Sequence, residues 1–186
     1  MTWDDAPWTL GNLRVSRAAL EAIEAAAIAG YLAGEEVCGV LAGPADDPLL
    51  CDRAIVIENI AQALHERDPR RFAQTARTSF AFHERRLESL LREGKRSAAP
   101  VKVLYHSHLD VGAYLSGMDQ AMLSRGGMPT TVDGPALIGP GPAWPLAFLV
   151  MSVRIPLEGT SPCVDEHRLF VWKCGEFASS AFTVQP

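Results

Sequence analysis

No run of this chain is apolar for long enough to cross a bilayer. The longest strongly apolar stretch, Trp144 to Met151, falls far short of the ~20 residues a membrane helix needs. The start, Met1-Thr2-Trp3-Asp4-Asp5, is acidic and lacks the positive opening and apolar centre of a signal peptide. Positive charge is also scarce. Against 22 Asp and Glu there are 17 Lys and Arg, a net charge of −5 with no long block of like charges, so the basic footprint of a nucleic-acid binder is missing. Cysteine is sparse and unpaired in pattern. Cys38, Cys51, Cys163 and Cys174 form no Cys-x-x-Cys, which removes a zinc knuckle or a thioredoxin-like redox motif and leaves free thiols as the simplest state in a reducing compartment. These absences together imply a cytoplasmic protein whose partners are neither membranes nor nucleic acids.

What remains is enough to fold. With 48% hydrophobic and 21% charged residues over 186 positions, the chain is expected to form one domain, residues 1–186, around a sizeable core. Strand and helix signals are mixed, without internal repeats. Ser16 is placed to cap a helix over Arg17 to Ala33, where Leu20, Ile23, Ala27 and Tyr31 recur at helical spacing and Gly34 ends the run. A strand follows from Glu35 to Gly43, and another from Cys51 to Ile60. Thr78 or Ser79 is expected to open a helix reaching about Glu93, with Phe80, Leu87, Leu90 and Leu91 as its buried stripe. Ser124 to Pro145 holds five glycines and five prolines in 22 residues, too many for regular structure apart from a short strand near Ala136–Ile138. Leu146–Val153, Glu166–Lys173 and Phe177–Val184 read as closing strands, the last two forming a hairpin across Cys174-Gly175-Glu176.

The chemistry concentrates in fourteen residues from His106 to Asp119, HSHLDVGAYLSGMD. Val101-Lys102-Val103-Leu104-Tyr105 follows Pro100 and reads as a strand running into the histidines. Two residues apart on a strand, His106 and His108 point the same way, so both imidazoles can reach one ion at about 2.0–2.1 Å while Ser107 faces the other side. If Leu115 to Arg125 is helical, Ser116 and Asp119 share a helical face and Asp119 completes a three-ligand set. Three protein ligands leave a tetrahedral position for water, the pattern of catalytic zinc, whereas structural zinc sites are closed by four ligands. The His-x-His-x-Asp-His pattern of two-metal hydrolases is matched through Asp110 and then fails at Val111.

Upstream, Glu36 opens an apolar strand, a poor place for ordinary surface solvation of a carboxylate. If that strand neighbours the histidine strand, Glu36 can take a proton from water activated by the zinc and pass it to a leaving amine, and Ser116 can donate to the developing oxyanion. A cysteine nucleophile is the competing reading, with Cys38 nearest in sequence, but its strand setting suits a small buried hydrophobe.

The whole pattern, a glutamate on an early strand, His-x-His, seven residues and Ser-x-x-Asp, resembles the JAMM (MPN-plus) metalloprotease family through Glu36, His106, His108, Ser116 and Asp119. The context Glu36, Cys38, Gly39, Leu41 and Gly43 resembles its bacterial and archaeal branch, which includes enzymes acting on ubiquitin-like proteins and sulfur carriers. The resemblance extends less sharply from about Leu13 to Val184. It implies an α/β fold of the JAMM/MPN kind, a mixed twisted sheet flanked by helices and similar to that of cytidine deaminases. It also implies Zn²⁺ on His106, His108 and Asp119, with Glu36 and Ser116 catalytic, and a partner protein ending in Gly-Gly, cleaved after its last glycine. Leu109 and Leu115 stand where the family usually has proline, which bears on the course of the loop between them and on substrate preference. Ala61 to Thr78, with Arg67, Asp68, Arg70 and Arg71, and the Gly/Pro-rich stretch are the segments expected to flank a substrate tail. His65, His83 and His167 are expected to be structural or at the surface. Asp110 is a solvated loop carboxylate or a residue that orients an imidazole. Trp3, Trp8, Trp144 and Trp172 are expected in the core. Two rivals are a non-catalytic scaffold of the same fold and a general small-peptide or amide hydrolase.

Overall fold

A computed structural model describes residues 6–127 and 137–186. After a 3-10 turn at Pro7–Leu10, strand β1 (Leu13–Ser16) runs straight into helix α1 (Arg17–Ala33). Ser16 Oγ accepts the Ala19 N–H at 3.1 Å, satisfying one of the helix's free donors, and Gly34 closes the far end in the left-handed region at φ 76°. The expected bounds of this helix are therefore met. Ala19, Ile23, Ala27 and Gly30 form its buried face; Leu20 and Tyr31 pack at its margin.

Strand β2 (Cys38–Ala42) is wholly buried, and β3 (Leu50–Cys51) and β4 (Arg53–Ile57) follow it. The single strand expected over Cys51–Ile60 is thus two short ones in different sheets. Helix α2 (Ala61–Arg67) was not read from the sequence, and α3 (Glu84–Arg96) begins later than Thr78 or Ser79. Its start is displaced because the preceding backbone is already paired. Asn59 Nδ2 donates to the Ser79 carbonyl, Asn59 Oδ1 accepts the Ala81 N–H, and the Ile60 N–H donates to the Ala81 carbonyl. Residues tied in this way cannot close helical turns.

Strand β5 (Val101–Leu109), helix α4 (Gly117–Leu123), and strands β6 (Ala147–Arg154), β7 (Cys163–Lys173), β8 (Glu176–Ser180) and β9 (Phe182–Gln185) complete the order. The large sheet runs β4-β2-β5-β6-β7-β8. Only β5 and β6 are parallel in it; the other neighbours are antiparallel. Cys174 and Gly175 take φ 53° and 88°, the left-handed pair that a two-residue hairpin needs, so the expected β7–β8 hairpin is present. The strand expected over Phe177–Val184 breaks at Ala181. Its second half, β9, leaves the large sheet and pairs in parallel with β1, giving a small sheet of order β3-β1-β9. An alternating pattern looks the same whichever sheet receives it. The short strand expected near Ala136–Ile138 begins outside the described residues; Leu137 makes a single antiparallel bridge to Gly127.

The large sheet has a packed layer on each face. On one, α1 covers Val103, Tyr105, Leu149, Met151 and Leu169; on the other, Leu87 and Leu90 of α3 and Leu123 of α4 cover Leu104, Phe148 and Val150. Each fully buried side chain of this size contributes roughly 1.5–3 kcal/mol by leaving water. The molecule is therefore an α/β domain with a mixed sheet between flanking helices. No helix among the described residues is long and apolar enough to cross a membrane.

Candidate metal centre

The middle of the sheet carries the site. β5 lies between β2 and β6, and alternation puts Leu104, His106 and His108 on the face covered by α3 and α4, with Ser107 on the other. His106 is 2% exposed and His108 5%. Their Nε2 atoms stand 3.1 Å apart. Phe80 lies nearly flat on His106, ring centroids 4.3 Å apart at 24°, and the edge of Tyr114 meets His108 at 5.1 Å and 72°. Phe80 is buried as expected, but it covers an imidazole from an extended segment and belongs to no helical stripe. His108 Nδ1 lies 3.0 Å from the Gly112 carbonyl oxygen. A carbonyl only accepts, so Nδ1 carries the proton and Nε2 presents its lone pair.

The third ligand comes from α4. This helix spans Gly117–Leu123, shorter than Leu115 to Arg125, and Ser116 is its N-cap instead of a residue on its face. Ser116 Oγ accepts the Asp119 N–H at 3.1 Å, and Asp119 Oδ2 accepts the Ser116 N–H at 2.8 Å. This capping box satisfies donors that the first turn leaves free, and it fixes the Asp119 carboxylate. Asp119 Oδ2 lies 3.6 Å from each Nε2.

With both Nε2 atoms deprotonated, two lone pairs and a carboxylate oxygen converge on one point, and a cation between them relieves their repulsion. Edges of 3.1, 3.6 and 3.6 Å match the ~3.3–3.4 Å ligand spacing of a tetrahedron with zinc-length bonds, and an ion with bonds of about 2.1 Å to all three atoms would lie just off their plane. The donor set therefore fits a small divalent ion, and it leaves the remaining tetrahedral direction open. The protonation states agree. Burial lowers the His106 pKa against the pull of Asp119, keeping the imidazole neutral and able to ligate. In the metal-free molecule burial alone would raise Asp119, but the charge and hydrogen bond of a protonated His106, with hydrogen bonds from His108 and Ser116, hold it well below the usual carboxylate range; a cation on the two Nε2 atoms takes the place of those protons.

Glu36 reaches the site from the residues just before β2. Cys38 pairs with His106 at the end of the ladder, and Val37 beyond it is tied to Ser107 by one backbone and one side-chain hydrogen bond, which holds the segment carrying Glu36 beside β5. Its own backbone is held on both sides. The Glu36 N–H donates to the Ala76 carbonyl at 2.7 Å and its carbonyl accepts from Asn59 Nδ2 at 2.9 Å. The side chain is 5% exposed, and burial pushes its carboxyl up to about 9, with the Asp119 charge adding to the effect. A divalent cation beside it acts in the opposite direction and favours the carboxylate.

The remaining candidates separate clearly. Asp110 orients no imidazole; its carboxylate accepts from Tyr31 Oη at 2.7 Å and pairs with Arg77 at 3.0 Å, while the Gly112 carbonyl holds His108. Leu109 and Leu115 are both buried, and the loop between them is set by Asp110 at φ 62° and by hydrogen bonds from the Asp110 N–H to Val153 and from the Ala113 N–H to Glu166. Cys38 is fully buried with its thiol pushed up to about 12 by burial, the opposite of an activated nucleophile. All four cysteines are free. His65 Nδ1 meets the Phe72 carbonyl, His83 is exposed before α3, and His167 pairs with Glu24 across the sheet's other face. Arg67, Asp68, Arg70 and Arg71 are exposed on and after the end of α2. Trp8 is in the core, donating to the Pro145 carbonyl; Trp144 and Trp172 are half-buried, and Trp3 lies outside the described residues. Gly112 and Phe80 were not read as site residues, since a backbone carbonyl and a packing ring leave no spacing signal.

Known proteins bear on this arrangement at two levels. Residues 16–156 match the model of a family described as prokaryotic homologs of the JAB domain. No curated protein matches the chain significantly. Among solved structures, a protein of Desulfitobacterium hafniense determined in solution is similar with a TM-score of 0.59 at 16% identity, over 93% of this chain and 92% of that one. A protein of Salinibacter ruber gives 0.49 at 20% identity over 93% and 92%, and a JAB1/MPN domain protein from Archaeoglobus fulgidus 0.46 at 14% over 94% and 98%. The first of these shows a shared fold.

Proposed function

Since the chain belongs to the family of prokaryotic homologs of the JAB domain, we propose that it is a catalytic member of the JAMM type. In this reading it is a zinc metallopeptidase that hydrolyses the peptide or isopeptide bond after the C-terminal glycine of a ubiquitin-like protein or sulfur carrier. The observation that carries this is the triangle of His106 Nε2, His108 Nε2 and Asp119 Oδ2, with the buried Glu36 carboxyl near enough to feel the Asp119 charge. His106, His108 and Asp119 would hold Zn²⁺, which supplies Lewis acidity to the attacking water and the scissile carbonyl.

This chain's own residues do the rest. Glu36, buried and backbone-anchored, takes the proton from the attacking water and returns it to the departing nitrogen. Ser116 Oγ uses a lone pair on the Asp119 N–H, so its hydroxyl hydrogen is left to donate to the oxyanion. Phe80 and Tyr114 pack against the imidazoles and limit water around the two rings. The Gly-Gly specificity rests on the resemblance of Glu36, Cys38, Gly39, Leu41 and Gly43 to the branch acting on such tails. Residues 1–186 would act as one domain in the cytoplasm.

The test is direct. Purified protein should carry zinc by elemental analysis and cleave a ubiquitin-like fusion after Gly-Gly in preference to short peptides, with activity lost to a chelator and restored by zinc. Glu36→Gln should keep the metal and lose cleavage by roughly 10²–10⁴-fold, since it removes the proton acceptor and spares the ligands. Wild-type protein that takes up no zinc ends the proposal. Preference for short peptides moves it to a general peptide or amide hydrolase.

A further inference from the structure

Glu166 on β7 sits two strands from His108. His108 pairs with Ser152 of β6, and Ser152 pairs with Glu166, so the three residues form one row on the site face of the sheet. The register slips between Ser152 and Val153, leaving Asp165 as an extra residue in β7, the kind of bulge that re-aims a side chain. Glu166 is held from two sides. Oε1 accepts from Arg168 at 2.7 Å, and Oε2 accepts the Ala113 N–H at 2.9 Å. Ala113 is 1% exposed with the Glu166 carboxylate in place, and that carboxylate is the acceptor for its N–H.

The Ala113 N–H and the Gly112 C=O belong to the same planar peptide group. One end of that group is gripped by the Glu166 carboxylate, and the other accepts the His108 Nδ1–H at 3.0 Å. We propose that Glu166 is a positioning residue for the metal centre, acting through a carboxylate–peptide–imidazole relay that fixes the tautomer of His108 and strengthens Nε2 as a ligand. The physical reasons are two. A rigid amide whose N–H is fixed presents its carbonyl in one direction only, and an ionised acceptor on the N–H polarises the amide so that its oxygen is a better acceptor for the next hydrogen. Ligating histidines commonly donate their second N–H to a carboxylate or a carbonyl; here one peptide group carries the influence of a carboxylate lying beyond the carbonyl. The Ala113 N–H in turn keeps Glu166 below the usual carboxylate range, so it stays ionised through neutral pH.

This inference rests on the triad being a metal centre, and two measurements keep the two ideas apart. Zinc affinity by competition with a chromophoric chelator should weaken about 10–100-fold in Glu166→Ala, and less in Glu166→Gln, whose amide oxygen still accepts from Ala113 without the charge. Imidazole ¹⁵N spectra of the metal-free protein should show His108 protonated at Nδ1 in the wild type and in Glu166→Gln, with the proton redistributed toward Nε2 in Glu166→Ala. Wild-type zinc affinity together with an unchanged His108 spectrum in Glu166→Ala overturns the relay. A wild type that binds no zinc but shows the Nδ1 proton responding to Glu166 refutes the metal reading and leaves the relay standing.

Discussion

Val37 and Ser107 are joined twice: the Val37 N–H donates to Ser107 Oγ and the Ser107 N–H donates to the Val37 carbonyl, each at 2.9 Å. The pair ties the chain to β5 just past the end of the β2–β5 ladder at Cys38 and His106, and it holds the neighbouring Glu36 close to the site. Ser107 itself points away from the metal ligands, so its effect on the reaction runs only through the position of Glu36. Ser107→Ala leaves the Val37 N–H without its partner and should cost about 1 kcal/mol in urea unfolding. Cleavage should fall about tenfold with zinc affinity unchanged. A variant with wild-type kcat would show that Glu36 does not depend on this tie.

Ser116 has two separable duties, cap and donor. Ser116→Ala removes both and should lower stability by about 1 kcal/mol, whereas Ser116→Gly, a tolerated N-cap, should lower it by only a few tenths. Both lose the hydroxyl, so both should lose about 10²–10³ in kcat. Thermal unfolding beside single-turnover kinetics separates the two effects; cleavage that follows stability instead of the hydroxyl assigns Ser116 to the cap alone.

His167 bears on acid stability. Its Nε2 is 3.0 Å from Glu24 Oε1, yet burial lowers its pKa more than Glu24 and Asp165 raise it. The folded state therefore favours the neutral ring, and as pH falls below about 6.5 the unfolded chain binds the proton first. The stability this contributes is present above that pH and is lost as pH drops through the lower folded value. His167→Asn should accordingly lose less Tm than the wild type between pH 7 and pH 5. Parallel pH profiles for the two proteins would contradict this.

Lys102 holds the turn between β2 and β3. Its side chain is fully buried, with Nζ donating to the carbonyls of Pro44, Asp47 and Leu50 at 2.9, 2.8 and 2.7 Å, so each ammonium hydrogen has an acceptor. Lys102→Met keeps the stem and strands three carbonyls, which should cost about 3 kcal/mol in denaturant unfolding. A loss below about 1 kcal/mol would mean that water enters and replaces the ammonium.

Much of the site was legible in the sequence. The two histidines had to share a face because strand side chains alternate, and Ser16 and Gly34 delimited α1 because a helix start needs an acceptor and its end a left-handed residue. Phe80 was less legible. Its place in an apolar run suggested a helical stripe, but Asn59, twenty or so residues earlier, binds the backbone on both sides of it and holds it extended over His106. Ser116 and Asp119 were correctly joined for an incomplete reason, since three-residue spacing serves a capping box as well as a shared helical face.

What the order of residues determined by itself was local: which side chains alternate, where a helix can begin and stop, and which groups have the chemistry to hold a metal or move a proton. These depend on backbone geometry a few residues long. Only the folded chain decided that Val37 would clasp Ser107, that the last strand would divide between two sheets, and that Glu166 would reach the Gly112–Ala113 peptide. Such contacts join residues tens of positions apart, and their formation depends on the packing of both faces of the sheet, which no short stretch of sequence encodes alone.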